Sequence, residues 1–165
     1  MSFFLWQNMA KYKILSDEEL KLLELEFKQF LISNGIHDEQ WRAINEKDPD
    51  KAIDLVEQFS DVVYDKSMEN VKYIAHFTEN EIKAFWYRKD QAMLIGLKDL
   101  SGKLDFRRDD WWMRLPEVHE QVETFFLEKK VEENRRNIEL FKLISAGAMV
   151  ISEEHFKRLH LLIKK

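Results

Sequence analysis

Apolar residues recur every three to four positions from Leu20 to Val63, and every second position from Val71 to Leu97. The first spacing is that of a helix with one buried face, the second that of a strand. The switch points to an α+β fold: mostly helical, with a small antiparallel meander of three to four strands flanked by helices. Glycine and proline number only 4 and 2 in 165 residues, where average usage would supply about 20. That scarcity of turn formers argues against an all-β sandwich and against long disordered linkers. Charged residues reach 35% beside an ordinary 45% hydrophobic, the mixture that amphipathic helices produce. The length suits one domain, expected over residues 11–165. Residues 1–10 are expected to form an N-terminal tail that the fold can lose. The first eight follow neither period, and Met9-Ala10-Lys11 reads as an alternative start.

Ser16 and Glu19 form a capping box, in which each side chain satisfies the other residue's backbone N–H, with Leu15 and Leu20 at the staple positions. The helix they open carries Leu20, Leu23, Phe27, Phe30 and Leu31 on one face and stops at Asn34-Gly35. A short helix capped by Asp38 follows, with Trp41 and Ile44 inward. Asp48-Pro49 starts a third helix, running to about Met68. Ala52, Val56, Phe59 and Val63 form its buried stripe, and Asp54, Glu57, Asp61 and Asp65 lie opposite. Strands are expected over 72–77, 82–88 and 91–97, with turns at 78–80 and 89–90. Ile82, Ala84 and Trp86 share one face and Phe85 and Tyr87 the other, while Ala92 and Leu94 oppose Met93, Ile95 and Leu97. Both faces are apolar, so both need cover from the chain's own helices or from a partner. Residues 100–115 read as irregular, with Leu104 and Phe106 as a candidate fourth strand. Pro116 opens a helical region over 117–146, continuous or kinked near Glu128, which Gly147 ends. Ser152 caps a last helix, with Phe156, Leu159 and Ile163 inward.

Lys11-Tyr12, Glu26-Phe27 with Phe30-Leu31, Gly35-Ile36 with Trp41, Phe59-Ser60-Asp61 and Val71-Lys72-Tyr73 form a recognisable set. Through them, residues 11–75 resemble a family of small bacterial proteins known only as a domain of unknown function. Most of these are core and cap positions. The resemblance therefore implies a fold, but no substrate, cofactor or catalytic residue. It also implies a natural start close to Met9.

Cysteine is absent, which removes disulfides, thiolate nucleophiles and thiolate-bound metals together and fits a cytoplasmic setting. No apolar run approaches the ~18 residues of a membrane span. Residues 1–6 lack the basic start and the long apolar block of a signal peptide. Residues 1–80 hold 9 basic and 16 acidic side chains, a net of −7, so nucleic acid is not an expected partner. The nearest approach to a metal motif is His119-Glu120 with Glu123, which would be the residues of a small metal-dependent or His/Glu hydrolase. It offers too few ligands and lacks the second histidine of the zinc-protease pattern, so no metal or cofactor site is expected. His37, His76, His155 and His160 make no local pattern, and the four glycines are scattered rather than gathered in a phosphate loop. The acidic stripe Asp54, Glu57, Asp61 and Asp65 is where any soluble helix puts its charge; its functional alternative is an immunity-type inhibitor capping a basic toxin.

The segment Arg107-Arg108-Asp109-Asp110-Trp111-Trp112-Met113-Arg114 is the one positive pointer. Tryptophan and arginine are the residue types enriched at interface hot spots. The plain alternative is a Trp plugging the core beside arginines paired with Asp109 and Asp110. Trp112 is expected to face inward, leaving Trp111 as the anchor, with Arg107, Arg108 and Arg114 around it. The expected function is that of a non-enzymatic cytoplasmic module that binds another protein or itself.

Overall fold

In the computed structural model, residues 10–164 are described. The expected tail falls almost wholly on residues 1–9, outside the described residues. The chain divides into two compact units, one ending at Ser67 and the other beginning at Met68.

The first unit is helical. Helices α1 (Asp17–Leu22), α2 (Glu24–Ser33), α3 (Asp38–Lys47) and α4 (Pro49–Glu69) follow one another. The capping box forms as the sequence requires: Ser16 N donates to Glu19 Oε2 at 2.8 Å, and Glu19 N donates to Ser16 Oγ at 3.2 Å. The helix it opens breaks at Leu23, so the expected single helix is two. Gly35, at φ +76°, supplies the left-handed residue that ends α2. His37 rather than Asp38 is the N-cap of α3. Asp48 Oδ1 accepts from Lys51 N at 3.2 Å, capping α4. Leu15, Phe27, Leu31, Leu55 and Phe59 form the core of this unit, with Trp41, Val56 and Val63 against it. Ser60 is buried among them. It accepts from Leu15 N at 2.9 Å and donates to Val56 O at 2.6 Å, fixing the lead-in chain along α4.

The second unit is a five-stranded antiparallel sheet with helices. Strands β1 (Tyr73–Phe77), β2 (Glu81–Tyr87) and β3 (Gln91–Asp99) make the expected meander. A connection carrying α5 (Trp111–Val118) and one 3-10 turn (His119–Gln121) leads to β4 (Val122–Lys130). Then come α6 (Glu133–Ser145), β5 (Met149–Val150) and α7 (Glu153–Leu161), giving the strand order β4-β3-β2-β1-β5. Leu104 and Phe106 lie in the irregular part of the connection, not in a strand, with both side chains buried. Pro116 sits inside α5 instead of opening a long helix, and residues 122–130 form a strand where a helix was expected.

The two sheet faces receive the alternating residues as expected. Ile82, Ala84, Ile95 and Leu97 pack with Leu104, Phe106, Trp111, Val118, Phe156 and Leu159, so α5, its lead-in and α7 cover the first face. Ile74, Tyr87 and Ala92 pack with Val131, Leu140 and Ala148, placing α6 on the second. The cover that both faces need therefore comes, at least in part, from helices after β3. Gly96 faces Phe125 across β3 and β4, and a Cβ at Gly96 would lie 1.9 Å from the Phe125 ring. The far end of the Phe125 ring occupies the space a side chain at this position would need. No described helix is long and apolar enough to cross a membrane.

Candidate interaction surface

The Trp/Arg segment folds differently from its expected arrangement. Trp111 is the inward residue, 3% exposed, with its ring edge-on to Phe106 at 5.1 Å. Trp112 stacks on Trp111 at 3.9 Å and remains half-buried. The reversal follows from α5 beginning at Trp111: the helix turns its first residue and Val118, seven positions on, toward the sheet. Arg107 forms a two-pronged pair with Asp105, at 2.9 and 2.8 Å, and approaches Glu79 at 3.9 Å. The Arg107 guanidinium beside Asp105 holds that carboxyl down at about 2. Arg108 pairs with Asp110 at 3.3 Å, and Arg114 is exposed. The first two arginines thus brace their own loop, and the anchoring side chain proposed from the sequence lies in the core.

His119 and Glu120 lie in the 3-10 turn, with His119 Nε2 2.8 Å from Glu120 Oε1, while Glu123 is on β4. They do not share a helix face. Among the described residues, no three His, Asp or Glu side chains gather as metal ligands. The acidic stripe on α4 is partly used within its own unit. Tyr12 N donates to Asp61 Oδ1 at 3.3 Å, Lys11 Nζ lies 3.3 Å from Asp65 Oδ1, and the Tyr12 hydroxyl donates to Asp65. Burial, reinforced by Asp54 and Asp61, raises the pKa of Glu57.

Sequence reading missed Arg136, the one buried arginine among the described residues, 8% exposed. Its guanidinium donates to the carbonyls of Arg88 (2.9 Å), Met68 (3.1 Å), Tyr87 (3.3 Å) and Val71, and to Asn137 Oδ1 (2.9 Å). One side chain thereby ties α6 to the end of β2 and to the chain leading into β1. Burial lowers its pKa.

Beside α6, part of the second sheet face is left uncovered by the described residues. A cleft of about 530 Å³ is walled by Phe85, Leu94, Leu127 and Leu143. Its polar rim is a short relay: the Tyr87 hydroxyl (3.1 Å) and Lys129 Nζ (2.8 Å) both donate to Glu139 Oε2, with Lys142 alongside. Burial, then the Glu139 charge, pushes the Tyr87 hydroxyl up, keeping it a protonated donor. Leu127 is 60% exposed and Phe126, on the opposite face of β4, 44%. The sequence carried one signal of this surface, the apolar residues on both faces of β3.

A model of a family of unknown function, DUF6495, matches residues 9–164. The chain belongs to this family. The match spans both units of the DUF6495 chain, well beyond the 11–75 of the sequence resemblance, and takes in the cleft and β4. No curated protein and no solved structure matches the DUF6495 chain.

Proposed function

We propose that this member of DUF6495 is a non-enzymatic cytoplasmic module that binds polypeptide through the open face of its sheet. The carrying observation is the cleft beside α6: apolar walls, a charged rim already satisfied internally, and exposed Leu127 at its margin. Concave apolar surface with few polar groups at its edge is how proteins seat the side chains of a partner. A cytoplasmic setting is supported by the absence of cysteine. The net charge of −5 favours neither nucleic acid nor an anionic membrane as partner.

A random-peptide display library panned on the full chain tests the reading. Peptides with a shared apolar or aromatic core are expected to be enriched, and Leu127→Glu, exposed and therefore tolerated by the fold, should lose them. Failure to enrich any sequence, or undiminished binding to Leu127→Glu, overturns it.

A further inference from the structure

We propose that β4 is a docking edge for a second copy of this chain. Two β4 strands pair antiparallel about a two-fold axis at Phe126, so that Glu123 of each copy faces Lys129 of the other. The inference rests on the reading that the open sheet face and its margin are an interaction surface.

The backbone sets the parity. Val131 N donates to Asp90 O, and Leu100 N donates to Gln121 O, both at 2.9 Å. These bonds bracket the register that pairs Leu94 with Leu127 and Gly96 with Phe125. Hydrogen-bonded pairs alternate along an antiparallel ladder. Residues 123, 125, 127 and 129 therefore bond to β3, while Thr124, Phe126 and Glu128 turn their N–H and C=O outward. β4 ends the strand order, so among the described residues no strand takes those groups. Val122 O already accepts from Lys164 Nζ at 3.0 Å, which limits a new ladder to residues 124–128.

Natural edges of this length usually carry a proline, a bulge or central charges against self-pairing. Here the centre is Phe125-Phe126-Leu127, and the β3–β4 register runs without a bulge from Val122 to Lys130. The charges lie outside that centre, Glu123 on one side and Glu128, Lys129 and Lys130 on the other; of these, Glu123 and Lys129 share a face of the strand. Centring the two-fold on Phe126 sets Phe126 against Phe126, Phe125 against Leu127, Thr124 against Glu128, and Glu123 against Lys129, whose Nζ also donates to Glu139 of its own copy at 2.8 Å. Shifting the centre to Phe125 or Leu127 sets Glu123 against Leu127, or Phe125 against Lys129. A parallel in-register pair would set like charges side by side, which is destabilising. The sequence of the strand thus fits its own reverse in one register. The same pairing brings Leu127 of each copy beside Phe125 of the other, extending the apolar floor of each cleft across the axis.

The test uses the full chain. Sedimentation at micromolar concentration should show twice the 20.0 kDa chain mass. Glu123→Lys and Lys129→Glu should each weaken the dimer about tenfold, since symmetry doubles every contact. The double substitution should restore it, which a merely damaged fold would not. Because the chain has no cysteine, Phe126→Cys introduces a single thiol beside its own symmetry mate. The Cα separation there, about 5.5 Å, suits a disulfide. Oxidation should cross-link it, and should not cross-link Glu81→Cys. A dimer in which the charge swap fails to rescue and Phe126→Cys stays uncross-linked overturns the β4 mode. A monomer throughout overturns it too, while enrichment of peptides by the same preparation would leave the polypeptide-binding reading standing.

Discussion

Single residues decide stability here where a polar group is buried with all its bonds internal. Arg136 is such a residue, and Arg136→Met would take this donor from the carbonyls of Val71, Tyr87 and Arg88, while Met68 O keeps the bond from Val71 N. Orphaned buried acceptors cost about 1–3 kcal/mol, so a loss of about 3 kcal/mol is expected in denaturant unfolding. Asp99 is a second case: Oδ1 accepts from Ser101 N and Oγ at 2.9 and 2.6 Å, and Oδ2 from Leu104 N at 3.1 Å. Burial pushes this carboxyl up, but the bonds from Ser101, Leu104 and Gly102 together outweigh it and leave the pKa lowered. A lowered carboxyl stabilises the fold fully above its unfolded value of ~3.9, and the benefit disappears as pH falls through the folded value. Asp99→Asn turns one acceptor into a donor facing an N–H. It should lower the denaturant midpoint at pH 7 and flatten its fall below about pH 4; an unchanged acid limb would show that Asp99 does not set it. At the tryptophan pair, Trp111→Ala should cost about 3–5 kcal/mol, as loss of a core aromatic does. Trp112→Ala should cost clearly less. Equal losses would place both rings in the core.

At the scale of elements, Pro116 did not open a helix over 117–146 and the helix begun at Ser16 broke at Leu23, but several local signals formed where the sequence put them. The α1 capping box is one: Ser16→Ala should remove about 1 kcal/mol, read as a melting temperature lower by about 2–4 °C. The meander is another, because its turns and alternating residues lie within a few positions of one another. β4 was not legible. Val118, Val122 and Phe125 are spaced like a helix face, and Phe125-Phe126-Leu127 hides the alternation by being apolar on both sides. What makes the segment a strand is its partner β3, reached across the long connection through α5. β5, two residues long, likewise exists only through its pairing with β1.

For the whole molecule, the two units each carry a core of their own, one around Phe27 and Phe59, the other two-sided about the sheet. The capping box at Ser16 and a family match beginning at residue 9 support a chain that starts at Met9 and keeps its stability. Its melting temperature should stay within about 2 °C of the full chain's, less than ~1 kcal/mol would produce; a ten-degree fall would put Phe3, Phe4 and Trp6 in the fold. The sequence by itself determined the α+β class, the capping box at Ser16, the span of α4, the Ser152 cap of α7, the three-stranded meander and which residues share each of its faces. These are written in periods and turn residues that act over one or two turns of chain. Only the tertiary structure decided that residues 122–130 are a strand, that Trp111 and not Trp112 faces inward, and that α6 leaves a cleft open beside it. The bonds of Arg136 to carbonyls 48 to 68 residues away belong to the same group. Each of these depends on groups far apart in the chain, whose meeting no local pattern encodes.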